Sequence, residues 1–150
     1  MSDAGAEREI ERLIYQYARA CDIDGVGPDQ LMTELFTSDV VLEGSLMGRY
    51  EGVEGVERWA NQVSDMRKRC TIRHIITNLL ITVSGDVASA VAYLVEIATY
   101  HAPVPGRTEA STEVLFTGDY DFSFLRSADG WRIRRRVIRV IGPDAESGNS

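Results

Sequence analysis

The stretch "TIRHIITNLLITV", Thr71 to Val83, divides the chain into two halves of different character. It is rich in β-branched residues, which suit a pleated, half-buried surface, and it ends at the turn "SGD", Ser84 to Asp86. The chain beyond that turn keeps the same character. "VASAVAYLVEIATYH", Val87 to His101, reads as a second long strand, and "APVPGRT" as a loop. "EASTEVLFTGDYDFSFLR" is a third strand that turns at "SADG", Ser127 to Gly130, and returns as "WRIRRRVIRVI". This is a long antiparallel meander.

Before Thr71 the spacing is helical. From Glu7 to Cys21, apolar residues fall at Ile10, Leu13, Ile14, Tyr17, Ala18 and Cys21, one buried face of an amphipathic helix. Gly25 and Gly27 end it, and Pro28 suits the first turn of a second helix reaching Phe36, with Leu31, Met32, Leu35 and Phe36 inside. "TSD" reads as a turn and "VVLEG", Val40 to Gly44, as a short strand. "GRYEG" leads into a third helix, about 53–66, whose inner face carries Val56, Trp59, Ala60 and Val63. Helices first and a meander after make an α+β plan in one domain spanning 1–150, with a core at about 7–141 and a polar tail at 142–150. Strands this long curve through bulges, and a curved sheet closed by helices encloses a pocket.

Composition narrows the function classes. The chain has 150 residues, a formal net charge of -7 and a pI near 4.8, which argues against a nucleic-acid partner. Two cysteines, Cys21 and Cys70, with no paired spacing suit a reducing compartment, and the polar, acidic start lacks the pattern of a signal peptide. A cytoplasmic protein without a membrane partner is expected. No phosphate-binding glycine loop, nucleophile elbow or metalloprotease motif occurs, and the donors are too scattered for a dedicated metal site, so no metal or other cofactor is expected.

Chemistry is then sought among a few polar residues set in apolar surroundings. Asp22 ends the first helix, where the macrodipole disfavours a negative charge, and it follows Cys21 on the buried stripe. Such a carboxylate needs a partner. Only two histidines exist; His101 sits at a strand end and reads as a surface residue, whereas His74 lies inside the first long strand. A carboxylate beside His74 would fix its tautomer and favour the imidazolium. Asp24, among glycines, reads as a turn or cap residue. Tyr17, five residues before Asp22, is placed to donate from its hydroxyl. Glu96 shares strand parity with Ala92, Leu94 and Ala98, so it faces either the pocket or an interface. Asn78 has the parity of His74; Glu43 and Trp59 complete the candidates for substrate contact. The arginines of "RIRRRVIRV" fall on both strand faces and suggest ion pairs rather than an anion site.

Taken in order, "YARACDIDG", "LFTSDVVLEG", "GRYEGVEGV", "RHIITNLLI" and "GDYDFSFLRSADGWRI" resemble the nuclear transport factor 2-like superfamily, in its SnoaL-like branch. The resemblance runs from about Glu7 to Ile141. It implies a cone-shaped barrel: a strongly curved, mostly antiparallel sheet wrapped around three N-terminal helices, with a deep apolar pocket. Several dehydratases and a dehydrochlorinase of this shape use an Asp–His pair, which maps onto Asp22 and His74, and the bile acid 7α-dehydratase resembles the chain at Tyr17 and Glu96 as well. The second histidine of scytalone dehydratase and the Asp-Arg-Asp set of epoxide hydrolases are not evident. The implied activity is a cofactor-independent elimination on an apolar, carbonyl-containing small molecule. An isomerase or polyketide cyclase is the second choice, and a non-catalytic binding or assembly subunit the rival from another class. Neither face of the last hairpin reads as uniformly polar, so a homo-oligomer through the outer sheet face is expected, with a trimer ahead of a dimer.

Overall fold

The computed structural model describes residues 3–23, 26–45, 47–101 and 106–142. The expected turn role of Asp24, the "APVP" part of the loop and the polar tail beyond Gly142 lie outside the described residues. Helix α1 spans Asp3–Asp22, α2 Pro28–Glu34 and α3 Gly52–Arg67. The strands are β1 (Phe36–Gly44), β2 (Gly48–Glu51), β3 (Cys70–Ser84), β4 (Val87–Tyr100), β5 (Ser111–Ser127) and β6 (Gly130–Ile141). They form one six-stranded sheet in the order β2-β1-β6-β5-β4-β3. All neighbours are antiparallel except β1 and β6, which run parallel. The sheet is mixed and does not close into a barrel.

Helix α2 is shorter than its apolar spacing suggests. Phe36 leaves the helix to open β1, and "TSD" is part of that strand rather than a turn, because Leu35 and Phe36 anchor the chain on β6. There the Ile133 amide donates to the Leu35 carbonyl at 2.7 Å. "GRYE" is a strand of its own, paired with β1.

Three β-bulges interrupt the antiparallel pairs. An extra residue unpairs and bends its strand, and it also reverses which side chains face inward. In β3, Asn78 and Leu79 oppose a single residue of β4; in β5, Leu115 is extra; in β6, Arg134 is extra. Inward positions in β6 therefore pass from Trp131 and Ile133 to Arg136 and Ile138. The mixed parity that suggested a doubly apolar hairpin comes from this bulge. It leaves β6 with one inner and one outer face.

On the concave side, α1 buries Ile10, Leu13, Ile14, Tyr17 and Cys21. Tyr17 stacks on Trp59 of α3 at 6.0 Å between centroids and meets Phe36, Tyr120 and Phe122 edge-on. This aromatic cluster ties α1 and α3 to β1 and β5, and its Tyr17 and Trp59 reach the site.

Candidate active site

Asp22 is the last residue of α1, and His74 sits on β3 before its bulge. His74 Nδ1 lies 2.6 Å from Asp22 Oδ1, and the His74 backbone amide donates to Asp22 Oδ2 at 3.0 Å. Two donors from one residue thus satisfy the carboxylate, and the backbone bond fixes its position before the ring is considered. The unfavourable helix end is relieved from another side: the Arg67 guanidinium donates to the carbonyls of Cys21 at 2.7 Å and Ala20 at 3.3 Å.

The other ring nitrogen is engaged as well. His74 and Glu96 are directly opposed in the antiparallel pair β3–β4, so their side chains share a face. Nε2 lies 3.3 Å from Glu96 Oε2. The imidazole is therefore bracketed by two carboxylates, with the side chains of Asp22, His74 and Glu96 at 8%, 9% and 4% exposure. Burial, as the main cause, and the nearby charge of Asp22 raise the Glu96 pKa, against the opposing pull of His74. Its second oxygen, Oε1, is buried without a partner.

These groups face a cavity. His74, Glu96, Tyr17, Cys21 and Arg136 line it together with Met47, Trp59, Val63, Met66, Ile72 and Ile138. Its volume is about 30 Å³, room for about two water molecules. The deep pocket implied by resemblance is here a narrow cavity, walled in part by Trp59 and two methionines. Burial raises the Tyr17 pKa well above the usual phenol range, so its hydroxyl stays protonated and able to donate. Burial also pushes the Cys21 thiol up to about 12, which makes it an inert wall residue.

Two expected contacts are not made here. Asn78 lies on the β3 bulge with φ 53°, accepts from Thr77 Oγ1 at 2.9 Å and lines a groove on the outer face of the sheet. Parity with His74 holds only in a strand without the extra residue. Glu43 alternates outward from the buried Leu42, where Arg135 at 2.9 Å and Arg49 at 3.5 Å lower its pKa. It is a surface ion-pair residue and lines no part of the cavity. His101 is exposed beside Thr71 Oγ1 at 3.1 Å, and Trp59 lies in the cavity wall.

Arg136 is the residue that strand parity hides. The surrounding arginines do pair outside: Arg134 with Asp39, Arg135 with Glu43 and Arg139 with Asp121. Arg136, shifted inward by the bulge at Arg134, is 1% exposed and lines the cavity. Its guanidinium carbon sits 5.9 Å from the centre of the Tyr17 ring.

The SnoaL-like domain family model matches residues 2–137, and the chain belongs to this family. The uncharacterized protein Rv2910c of Mycobacterium tuberculosis is 31% identical over 131 residues, covering 86% of this chain and 81% of its own. Among solved structures, the Kfla4162 protein of Kribbella flavida superposes with a TM-score of 0.77 at 20% identity, over 98% of this chain and 99% of its own. An NTF2-like protein with a cystatin-like fold from Novosphingobium aromaticivorans gives 0.74 at 19% identity, over 98% and 90%. A second protein of that organism, named "Putative Scytalone Dehydratase", gives 0.74 at 19% identity, over 95% and 89%. At these identities the structural likeness establishes the fold. No helix among the described residues is long and apolar enough to cross a membrane, and no group of three or more His, Cys, Asp or Glu among them is arranged to hold a metal ion.

Proposed function

We propose that the protein is a cofactor-independent lyase that removes water from a small carbonyl compound. The observation that carries this reading is the buried array Asp22–His74–Glu96, whose His74 and Glu96 line a mostly apolar cavity. Elimination needs one group to take a proton from the carbon beside the carbonyl and another to give a proton to the departing hydroxyl. His74 and Glu96 form such a pair. With Glu96 protonated, as its raised pKa favours, neutral His74 takes the carbon-bound proton at Nε2 while Glu96 protonates the leaving oxygen. The imidazolium and carboxylate that result sit 3.3 Å apart, so one proton transfer from Nε2 to Oε2 restores the starting state. Asp22 holds the proton on Nδ1 and stabilises the imidazolium. Tyr17 donates to the carbonyl oxygen as enolate charge develops. The neighbour named for a scytalone dehydratase supports the same reaction class.

The narrow cavity favours one second reading, a non-catalytic ligand-binding or assembly subunit. Elimination from 4-hydroxybutan-2-one, a compact β-hydroxy ketone, separates the two. The lyase reading expects enone formation above the buffer rate, reduced about 10²–10⁴-fold by His74→Ala. Equal rates in the two proteins would sink it.

A further inference from the structure

Arg136 poses a problem that the elimination mechanism leaves unsolved. Its side chain is buried, its Nε has no hydrogen-bond partner, and among the described residues no carboxylate pairs with it. Asp22 and the cavity's Glu96 are both held by His74, and the surface acids nearby are taken by Arg135, Arg134 and Arg139. A buried, unpaired cation is costly, and the Tyr17 ring face at 5.9 Å offsets only part of that cost. Such a group is retained where something outside the chain completes it.

We infer that the ligand of this cavity carries a carboxylate that pairs with Arg136. A guanidinium presents a planar fork of donors that matches a carboxylate in a bidentate pair. The alternatives fit less well. A phosphate or sulfate dianion would leave its second negative charge uncompensated, because Arg136 is the one arginine or lysine among the lining residues. A neutral carbonyl would leave the arginine charge uncompensated. The remaining wall, including Met47, Trp59 and Ile138, suits a compact apolar body. The substrate class is thus an apolar monocarboxylate, bound by its anion at Arg136 with its reacting carbon toward His74. The inference rests on this cavity being the substrate site, and it does not depend on elimination being the reaction.

The test uses propionate and its neutral isostere propionamide, compact probes that differ chiefly in charge. Protein labelled with ¹⁵N-arginine is titrated with each, following the Arg136 Nε–H resonance, which is assigned by its loss in Arg136→Lys and Arg136→Met. Propionate is expected to shift this resonance saturably and to bind at least tenfold more tightly than propionamide. Arg136→Met should lose that preference and, with an unpaired buried charge removed, melt no lower than the wild type when no ligand is present. Equal affinities, or no shift with either compound, would overturn the inference. An Arg136→Met protein that melts well below the wild type would do the same, by making the arginine structural. If that variant does not fold, the two probes on the wild type decide alone. Both readouts are binding measurements, so their failure leaves the His74 turnover test standing, and absent turnover leaves the binding comparison standing.

Discussion

Replacing Asp22 by asparagine should move a proton from one nitrogen of His74 to the other. Asp22 accepts from two donors of the same residue, the His74 backbone amide at 3.0 Å and the ring at 2.6 Å. Asparagine has one acceptor oxygen and one amide donor, so it cannot serve both as they stand. The backbone N–H cannot change its role, but the imidazole can. The asparagine oxygen therefore keeps the backbone bond, and its NH₂ faces Nδ1, which must become the acceptor. The ring proton then sits on Nε2 and points at Glu96, 3.3 Å away. Holding the old tautomer instead would set two donors against each other in a buried site, at a cost of about 1–3 kcal/mol. Exchanging charge-assisted bonds for neutral ones should lower stability by about 1–3 kcal/mol. Turnover should suffer more, because the nitrogen proposed as the base is now protonated. A wrong tautomer costs catalytic triads about 10⁴ in kcat, and a loss of about 10³–10⁴ here is roughly 4–5.5 kcal/mol. The assay needs no substrate. Long-range ¹H–¹⁵N spectra distinguish the tautomers, and with only two histidines, His101→Ala completes the assignment. A protein carrying Asp22→Asn that keeps its proton on Nδ1 would refute the reasoning.

Glu96→Gln tests the buried acid through stability against pH. A carboxyl whose pKa is raised by folding leaves stability intact below the usual carboxylate range; stability then falls as pH rises through the raised value. The Gln variant should therefore show a flatter profile above about pH 4.3 in denaturant titrations, and a wild type with no such decline would contradict the assignment. Gly118→Ala should destabilise by about 1–3 kcal/mol, a fall in Tm of roughly 2–12 °C, because a Cβ there would lie 2.6 Å from the Arg139 carbonyl oxygen; an unchanged melting curve would show that β6 yields. We also propose a homo-oligomer built on the outer face of β3 and β4, where Leu80 and Tyr93 are 71% and 57% exposed. Light scattering should give a multiple of 16.7 kDa, reduced to the monomer by Leu80→Asp, whereas a wild-type monomer would end this proposal.

Much of the fold was legible because its signals are local. Helical spacing marks α1 and α3, and β-branched runs ended by turn residues mark the four long strands. The Asp22–His74 contact was legible for a different reason: each residue was polar on an apolar face, and burial without a partner is expensive. Where the sequence misled, the cause was usually a single extra residue. Asn78 leaves the site and Arg136 enters it because of bulges at Asn78–Leu79 and Arg134, and a period-two reading carries no information about where such a slip occurs.

A signal for the β6 slip was nonetheless present in "WRIRRRVIRVI". Trp131 and Ile133 require odd positions to face inward, whereas Ile138 and Val140 require even ones, and a strand with one buried face cannot satisfy both without a bulge between them. Between them stand Arg134, Arg135, Arg136 and Val137. A slip there must place at least one arginine next to a buried position, whichever residue is the extra one. Oligomerisation explained the mixed pattern only by burying both faces. The bulge explains it with one buried face and, as a consequence, sets a cation in the wall of the cavity that Glu96 of β4 also lines. The unpaired residue at Arg134 therefore both reverses which side chains of β6 face inward and sets the charge that polarises the cavity.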